Sequence, residues 1–256
     1  MKTNAVVRIV IYSLVILFLL AILCAGLGFG MFAINLGSGT EITGEGSVSA
    51  AGITNLEIDW AAGSITILTA DTDQITFTES GYAGENQRMV YSQKGNTLKI
   101  SFSNTITVFG FGTGPSKDLT VTVPESWVCQ ELEIDGADLD VLIDGLTVNS
   151  IELDGAAMEL DFNGSVSRLT CDGAACELKV RTAATPESID VDGAACNMEL
   201  SLPSDSGFLA RMNGLGCYFK STFDYTVSNR DYLHGDGSCQ INVDGLGCNL
   251  TILILE

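Results

Sequence analysis

Between Leu132 and the C-terminus, hydrophobic and polar positions follow one sequence pattern that is repeated six times. Each copy has an apolar-x-apolar triplet, a corner in which glycine follows Asp or Asn, and an alternating strand. Successive corners are 19, 18, 20, 21 and 31 residues apart. A period near twenty is typical of stacked rungs, each of which buries its apolar face against the next. The corner residues are Asp135, Asp154, Asp172, Asp192, Asn213 and Asp244.

Alternation within a rung indicates which side chains face the core. Met158, Leu160 and Phe162 alternate with Glu159 and Asp161, which is the pattern of a half-buried strand with its apolar column inward and its charged column outward. Because no rung can bury its apolar face alone, equivalent positions should stack in parallel. The residues predicted to face inward are Met158, Leu160, Cys176, Leu178, Cys196, Met198, Cys217, Phe219, Cys248 and Leu250.

Upstream of the rungs, short segments also alternate with period two and are separated by Gly, Asn and Asp, which predicts further strands and turns. A hairpin tip is expected at 94–96 and a protruding loop at 225–238, and no segment after residue 36 has a helical period. The fold class is therefore all-β, a parallel β-helix or solenoid of roughly 20-residue rungs. The predicted upstream strands are 56–60, 64–68, 74–78, 89–91, 97–102 and 119–124.

The N-terminal segment has a different pattern. Residues 9–35 contain no charged residue, and a helix of about 20 apolar residues spans a bilayer. Lys2 and Arg8 precede this run, so the positive-inside rule places the N-terminus in the cytoplasm. A cleaved signal peptide, or a lipid anchor at Cys24, is an alternative interpretation. The expected organisation is a cytoplasmic terminus at 1–8, a transmembrane helix at 9–35, a linker at 36–46 and an extracytoplasmic solenoid at 47–256.

The chain resembles the bacterial β-strand-repeat family of candidate adhesins, a domain of unknown function on membrane-anchored envelope proteins. The resemblance rests on residues 56–59, on residues 63–67, on the strand at 119–124 and on the Asp-Gly rungs, and it covers roughly residues 45–256. It implies a parallel β-helical domain without catalytic residues, and in some members an association with envelope stress systems. The family commonly has Gly-Ser-Gly-Asp where this chain has Gly-Ala-Ala-Cys.

Five residues define a structural column at the position after each corner: Met158, Cys176, Cys196, Cys217 and Cys248. A position that accepts Leu139, Met and Cys is an apolar core position, where a free thiol acts as a small hydrophobe. A disulfide within the column is an alternative, although parallel in-register Cβ vectors fit the disulfide dihedral poorly. A metal site is another alternative, but the spacing is not that of a zinc ribbon.

The corner aspartates should form an external column at rung spacing. Asp or Asn before Gly is first a turn device, in which the side chain bonds backbone amides while Gly takes positive φ. Carboxylates about 5 Å apart repel by roughly 0.8 kcal/mol per pair even in water, and a bound calcium ion would relieve that repulsion. The weak calcium candidates are Asp135, Asp154, Asp172, Asp192 and Asp244.

The net charge and the sequence motifs limit the classes of function that this chain can have. Residues after 37 contain all 32 acidic residues and 10 of the 12 basic ones, a net charge of −22, which disfavours binding to nucleic acid. No nucleophile elbow, phosphate loop or dinucleotide fingerprint occurs, and His234 is the only histidine. We therefore expect no enzyme but a membrane-anchored adhesin-like or envelope-stress module that binds a protein or a cell-wall polymer. The alternative is a carbohydrate-active β-helix enzyme acting on an envelope polysaccharide.

Overall fold

The structure is a computed structural model that describes residues 33–35, 44–81, 88–103, 105–107 and 116–255. The chain divides into two compact units. The first comprises Met1–Gly37 and Thr105–Pro115, and its described residues form two short antiparallel strands, β1 (Ala33–Asn35) and β8 (Thr105–Thr107). The second comprises Ser38–Asn104 and Ser116–Glu256 and contains the repeats.

The second unit is one sheet of fifteen strands, and none of its described residues is helical. Its strand pairing follows an open path and does not close on itself. The strands are β2 (Glu45–Ser49), β3 (Asn55–Asp59), β4 (Ala62–Ala70), β5 (Gln74–Ser80), β6 (Val90–Lys94), β7 (Thr97–Ser101), β9 (Asp118–Pro124), β10 (Val128–Thr182), β11 (Ser188–Leu202), β12 (Phe208–Leu215), β13 (Tyr218–Ser221), β14 (Thr226–Ser228), β15 (Asp231–His234), β16 (Cys239–Leu246) and β17 (Asn249–Ile254).

Each rung has a strand before the corner and a strand after it, and equivalent residues of neighbouring rungs pair in parallel. The register of β10 with β11 places 168–181 beside 188–201, so that each corner lies beside the next corner. The single strand β10 contains three rungs, at 131–144, 150–163 and 168–181. The predicted parallel stacking and all-β class are confirmed.

A column of glycines explains how closely the corners stack. A Cβ added at Gly193 would lie 2.1 Å from the Gly173 carbonyl oxygen, and one at Gly155 would lie 2.4 Å from that of Gly136. Such distances are below any van der Waals contact, so only glycine allows this approach. The expected positive φ was wrong for the first four corners, because only Gly214 and Gly245 adopt it. At the other corners the chain stays extended, and glycine is required for space rather than for a left-handed turn.

The order of the rungs in the stack differs from their order in the chain. We number rungs in stack order: rung 1 is β7 with β9, rung 2 is β3 with β4, rungs 3 to 5 lie in β10, and rung 6 is β11. Rung 7 is β16 with β17, and rung 8 is β12 with β13. The C-terminal strands are therefore inserted between rung 6 and the rung that precedes them in sequence.

The predicted loop at 225–238 was wrong in part. Its residues form the hairpin β14–β15, and β15 pairs antiparallel with β12, so the hairpin covers an edge that would otherwise expose unpaired backbone groups. The predicted hairpin tip is confirmed, since β6 and β7 pair antiparallel with Lys94 opposite Thr97.

The core is the apolar column inside the stack. Eight of the ten residues predicted to face inward are buried, and Cys217 and Phe219 are half-buried because they lie in rung 8 at the end of the stack. Most of the predicted transmembrane helix, residues 9–32, lies outside the described residues, and 33–35 form β1. Among the described residues, no helix is long and apolar enough to cross a membrane.

Candidate functional site

The structural column runs through the stack in the order Met158, Cys176, Cys196, Cys248 and Cys217. The first four are buried, and each Cys in this column has a free thiol. The side chains tuck beneath the corner glycines: a Cβ at Gly173 would lie 2.6 Å from the Cys176 sulfur. Burial contributes to raising the pKa of the Cys248 thiol to about 11. The column therefore packs as core.

The corner aspartates come together as a column, here called the corner ladder. Their positions are in register across five rungs, and Asp59 of β3 extends the ladder by one further residue. Asp154, Asp172, Asp192 and Asp244 are exposed, whereas Asp135 is half-buried. Burial, followed by the charges of Asp59 and Asp154, raises the pKa of Asp135. The ladder concentrates like charge at rung spacing of about 4.8 Å.

A second column, the strand ladder, runs beside the corner ladder on the same face. It consists of Glu57, Glu133 and Glu152, with Asp190 further along the stack. Burial raises the pKa of Glu133, and the charges of Asp135, Glu57 and Glu152 raise it further. Side chains two positions apart on a strand point to the same side, so this face has two parallel rows of carboxylates.

The strands after the corner form a shallow groove of about 390 Å³. Its floor is made by small residues, Ala157, Ala175 and Ala195, and its wall by acidic ones. Among the described residues, no ion pair involves these acidic side chains. The groove carboxylates are Asp138, Asp140, Glu159 and Glu177.

Basic residues lie where the strand ladder ends. Lys99 of rung 1 pairs with Glu57 and, at 2.7 Å, with Asp59. Burial alone would lower the pKa of Lys99, but its hydrogen bonds with Asp59 and Glu57 leave that pKa raised. At the opposite end Arg211 of rung 8 donates to Gln240 at 3.1 Å and to Asn242 at 3.3 Å. Lys99 thus pairs with carboxylates at one end of the rows, whereas the hydrogen bonds of Arg211 at the other end are to neutral amides.

The only histidine of the chain and the acidic side chains were the remaining candidates for chemistry. Within the described ranges, no group of three or more His, Cys, Asp or Glu side chains is arranged to hold a metal ion. His234 packs against Phe208 and Phe223, with ring centroids 5.5 Å and 4.9 Å away, and its Nδ1 contacts the Asp224 carbonyl oxygen. This half-buried histidine therefore packs against the aromatic side chains of the hairpin cap.

Sequence reasoning identified the corner ladder but missed the strand ladder and the groove. Glu57 and Glu133 are 76 positions apart in sequence, and only the register of β3 with β10 joins them. The alternation of Glu159 and Glu177 with apolar residues marked them as outward-facing. Their convergence with Asp138 on one groove required the stacking order.

A solved structure with a low sequence identity supports the fold. A candidate cell adhesion protein from Clostridium sporogenes ATCC 15579 superimposes with a TM-score of 0.51, at 12% identity, over 84% of this chain and 99% of that chain. A candidate adhesin from Bacteroides fragilis NCTC 9343 has a TM-score of 0.42 at 10% identity, over 84% of this chain and 98% of that chain. No curated protein matches the sequence.

The family model described as Toastrack DUF4097 matches residues 53–208. This range contains rungs 1 to 6 together with the start of β12, so the matched region carries the groove, the strand ladder and all of the corner ladder except Asp244. The expected resemblance to a family of unknown function with adhesin-like members is confirmed. Because the match covers more than half of the chain, the protein belongs to the Toastrack DUF4097 family.

Proposed function

We propose that this chain is a non-catalytic, adhesin-like binding module whose acidic rows hold a basic or cation-bridged partner. The observation that carries the proposal is the register: three rows of carboxylates run along the stack, and among the described residues the only ion pairs made by these carboxylates are those with Lys99 at one end. Carboxylates at about 5 Å repel one another by roughly 0.8 kcal/mol per pair in water. A cationic partner relieves that repulsion and so gains from every rung that it contacts.

Repetition determines the kind of partner. One exposed carboxylate gives a weak contact because solvent and salt screen it. A polymer or an oligomeric protein with regularly spaced positive charges contacts several rungs at once, and its avidity then exceeds any single contact. The proposed partner is therefore a basic protein or a cationic cell-wall polymer, and nucleic acid is disfavoured by its charge.

We propose further that the apolar run at residues 9–32 anchors the module in the cell membrane and that the solenoid is extracytoplasmic, as the charge asymmetry around this run favours. An anchored module of this kind serves adhesion or envelope-stress sensing equally well. Protease added to intact cells should remove the solenoid and leave a membrane-bound stub. Complete protection of Glu256 from external protease would contradict this topology.

The carbohydrate-active alternative receives no support from the groove. Sugar-binding clefts commonly present aromatic faces, and none of the described residues that line this groove is aromatic. The alanines of the floor offer no aromatic surface on which a sugar ring could stack. Turnover of a neutral polysaccharide by the purified chain would overturn the binding proposal and favour the enzyme.

The test measures binding of the purified full-length chain to poly-lysine, with neutral dextran as the comparison polymer. The triple variant Asp140→Asn, Glu159→Gln, Glu177→Gln removes three groove charges while keeping side-chain shape. We expect its affinity for poly-lysine to fall about tenfold, about 1.4 kcal/mol. Binding of the unaltered chain should weaken as salt rises from low concentration to about 0.15 M.

A matched control separates the rows from net charge. The variant Asp71→Asn, Asp73→Asn, Asp205→Asn removes three exposed carboxylates that lie outside the ladders and the groove. We expect this control to keep most of the affinity of the unaltered chain. Equal losses in the two triple variants would show that net charge alone attracts poly-lysine, and the proposed site would be wrong.

A further inference from the structure

Rung 5 differs from every other rung with a corner in having a thiol immediately before the corner residue as well as one after the corner. Cys171 lies immediately before Asp172, and Cys176 lies after the two alanines. In the neighbouring rungs the position of Cys171 is occupied by Leu153 and Val191. The sulfurs of Cys171 and Cys176 lie 3.0 Å apart.

The corner brings these sulfurs together. Cys176 tucks beneath Gly173, where a Cβ would lie 2.6 Å from its sulfur, so the glycine opens the space through which the thiol turns inward. Cys171 points into the core from the preceding strand and is fully buried. A pair of thiols in direct contact therefore lies across the corner of one rung.

We infer that Cys171 and Cys176 form a redox-active dithiol, which a two-electron oxidant of the peroxide or low-molecular-weight disulfide class converts to an intrachain disulfide. Each thiol loses one hydrogen and the sulfurs join. Hydrogen peroxide accepts the two electrons and two protons and leaves as two water molecules. A disulfide oxidant is instead reduced to two thiols by exchange. The sulfurs must approach from 3.0 Å to about 2.05 Å.

The groove gives a small oxidant its approach. Cys176 contributes to the lining of the groove between Ala175 and Glu177, and it is 2% exposed. A molecule of the size of peroxide in this groove is separated from the dithiol only by the packing of small side chains. Asp138 and Glu177 repel bulky anionic oxidants from the same approach, so an uncharged oxidant is favoured.

The hydrogen bond with Cys171, followed by burial, helps to raise the pKa of the Cys176 thiol to about 12. Since the thiolate is the reactive form, oxidation is slow at neutral pH and accelerates as pH rises. This behaviour distinguishes the dithiol from an exposed reactive cysteine, whose rate levels off near its ordinary pKa of about 8.5.

The test uses the full-length chain, reduced, freed of reductant, and then treated with hydrogen peroxide or the uncharged 2-hydroxyethyl disulfide under native conditions. The remaining thiols are alkylated in denaturant before trypsin digestion. Cleavage after Arg168 and Lys179 leaves both cysteines in the single peptide 169–179. We expect this peptide to lose both alkyl groups on oxidation and to become two hydrogen atoms lighter than its reduced, unalkylated form.

Controls come from the residues that neighbouring rungs place at these positions. Cys171→Val and Cys176→Met should each abolish the intrapeptide disulfide, and circular dichroism should show that the variants fold. Cys239→Ala removes a buried thiol from another rung and should leave the disulfide unchanged. Full retention of both alkyl groups after oxidation would overturn the inference. A disulfide that links this peptide to the Cys196 peptide, or over-oxidation of one lone sulfur, would do the same.

Discussion

At the end of the stack that holds rung 1, antiparallel strands cover both halves of the outermost rung: β6 pairs with β7 and β5 with β9. At the other end, β15 covers β12, but among the described residues β13 pairs only with β17. The two ends also differ in chemistry. The first is held by a buried ion pair, and the second by a cluster of aromatic side chains.

The ion pair joins Lys117 to Glu79 at 2.6 Å, and both side chains are buried. The Lys117 ammonium also donates to the Phe102 carbonyl oxygen at 2.5 Å and lies 4.8 Å from the centre of the Trp60 ring. Glu79 accepts a further hydrogen bond, from the Met89 amide. The ammonium of Lys117 joins the Glu79 carboxylate to the Phe102 carbonyl oxygen, so this end should be sensitive to a change at Lys117.

The aromatic end tolerates more because its contacts are many and non-directional. Phe219 stacks on Tyr232 with ring centroids 4.1 Å apart and meets Tyr225 edge-on at 5.1 Å. This end also exposes Leu215 and Tyr218, each to 72%. Within the described residues, the first end is covered on both halves of its outermost rung, whereas the second leaves half of a rung and an apolar edge accessible.

The largest expected effect is on the closed end. Lys117→Met should leave the Glu79 carboxylate buried without its partner and lower the free energy of unfolding by about 3–5 kcal/mol. The measurement is urea denaturation of the full-length chain. The double variant Lys117→Met, Glu79→Gln removes the unpaired charge and should recover much of the loss. If the double variant is as unstable as the single one, the charge is not the cause.

A smaller effect is expected at the aromatic end. Phe219→Ala removes one ring from a half-buried cluster whose other rings remain in contact, and should cost about 2 kcal/mol. The adjacent Tyr218→Ala changes an exposed ring and should stay within about 0.5 kcal/mol. Urea denaturation measures the change in unfolding free energy for both variants. A loss as large as that of Lys117→Met would remove the contrast between the two ends.

The smallest effect concerns the acidic rows between the ends. The folded-state pKa values of Asp135 and Glu133 are raised, so their contribution to stability is fully present below the unfolded values of about 3.8 and 4.5. That contribution is lost as pH rises through the folded values. Unfolding free energy from these groups should therefore increase on acidification from pH 7 toward pH 4.5.

The matched variant for this prediction is Asp135→Asn, Glu133→Gln, which should flatten the dependence relative to the unaltered chain. Lys99 does not mask the effect, because its pKa is raised from 10.5 and it stays protonated throughout this range. Urea midpoints at pH 7 and pH 5 provide the measurement. An identical slope in the variant would show that other carboxylates determine the pH response.

The repeat predicted the rungs because corner spacing and period-two alternation are local signals. Leu178 and Glu177 illustrate this: one is buried and the other exposed, as their alternation indicates. The repeat could not predict the order of the rungs in the stack. Rungs 6, 7 and 8 have nearly the same sequence pattern, so each could pack beside either of the others. Neighbour choice is decided instead by connection length and by the hairpin that covers β12.

As with the fold, the repeated parts of the candidate site could be predicted from the sequence and its non-periodic contacts could not. The corner ladder follows from six similar corners, but the approach of Cys171 to Cys176 depends on how one side chain turns beneath Gly173. The pair of Lys117 and Glu79 lies outside the repeat and is separated by 38 residues. No periodic signal marks such a contact, and only the folded chain shows it.

The insertion of β16 and β17 between rungs 6 and 8 has a consequence for how the solenoid is assembled. Residues 208–221 are synthesised before 239–254 but find their parallel neighbour only in that later segment. Growth of the stack therefore cannot proceed one rung at a time as the chain emerges. Rung 8 can join the stack only once residues 239–254 are in place, so this end assembles in one non-local and comparatively slow step.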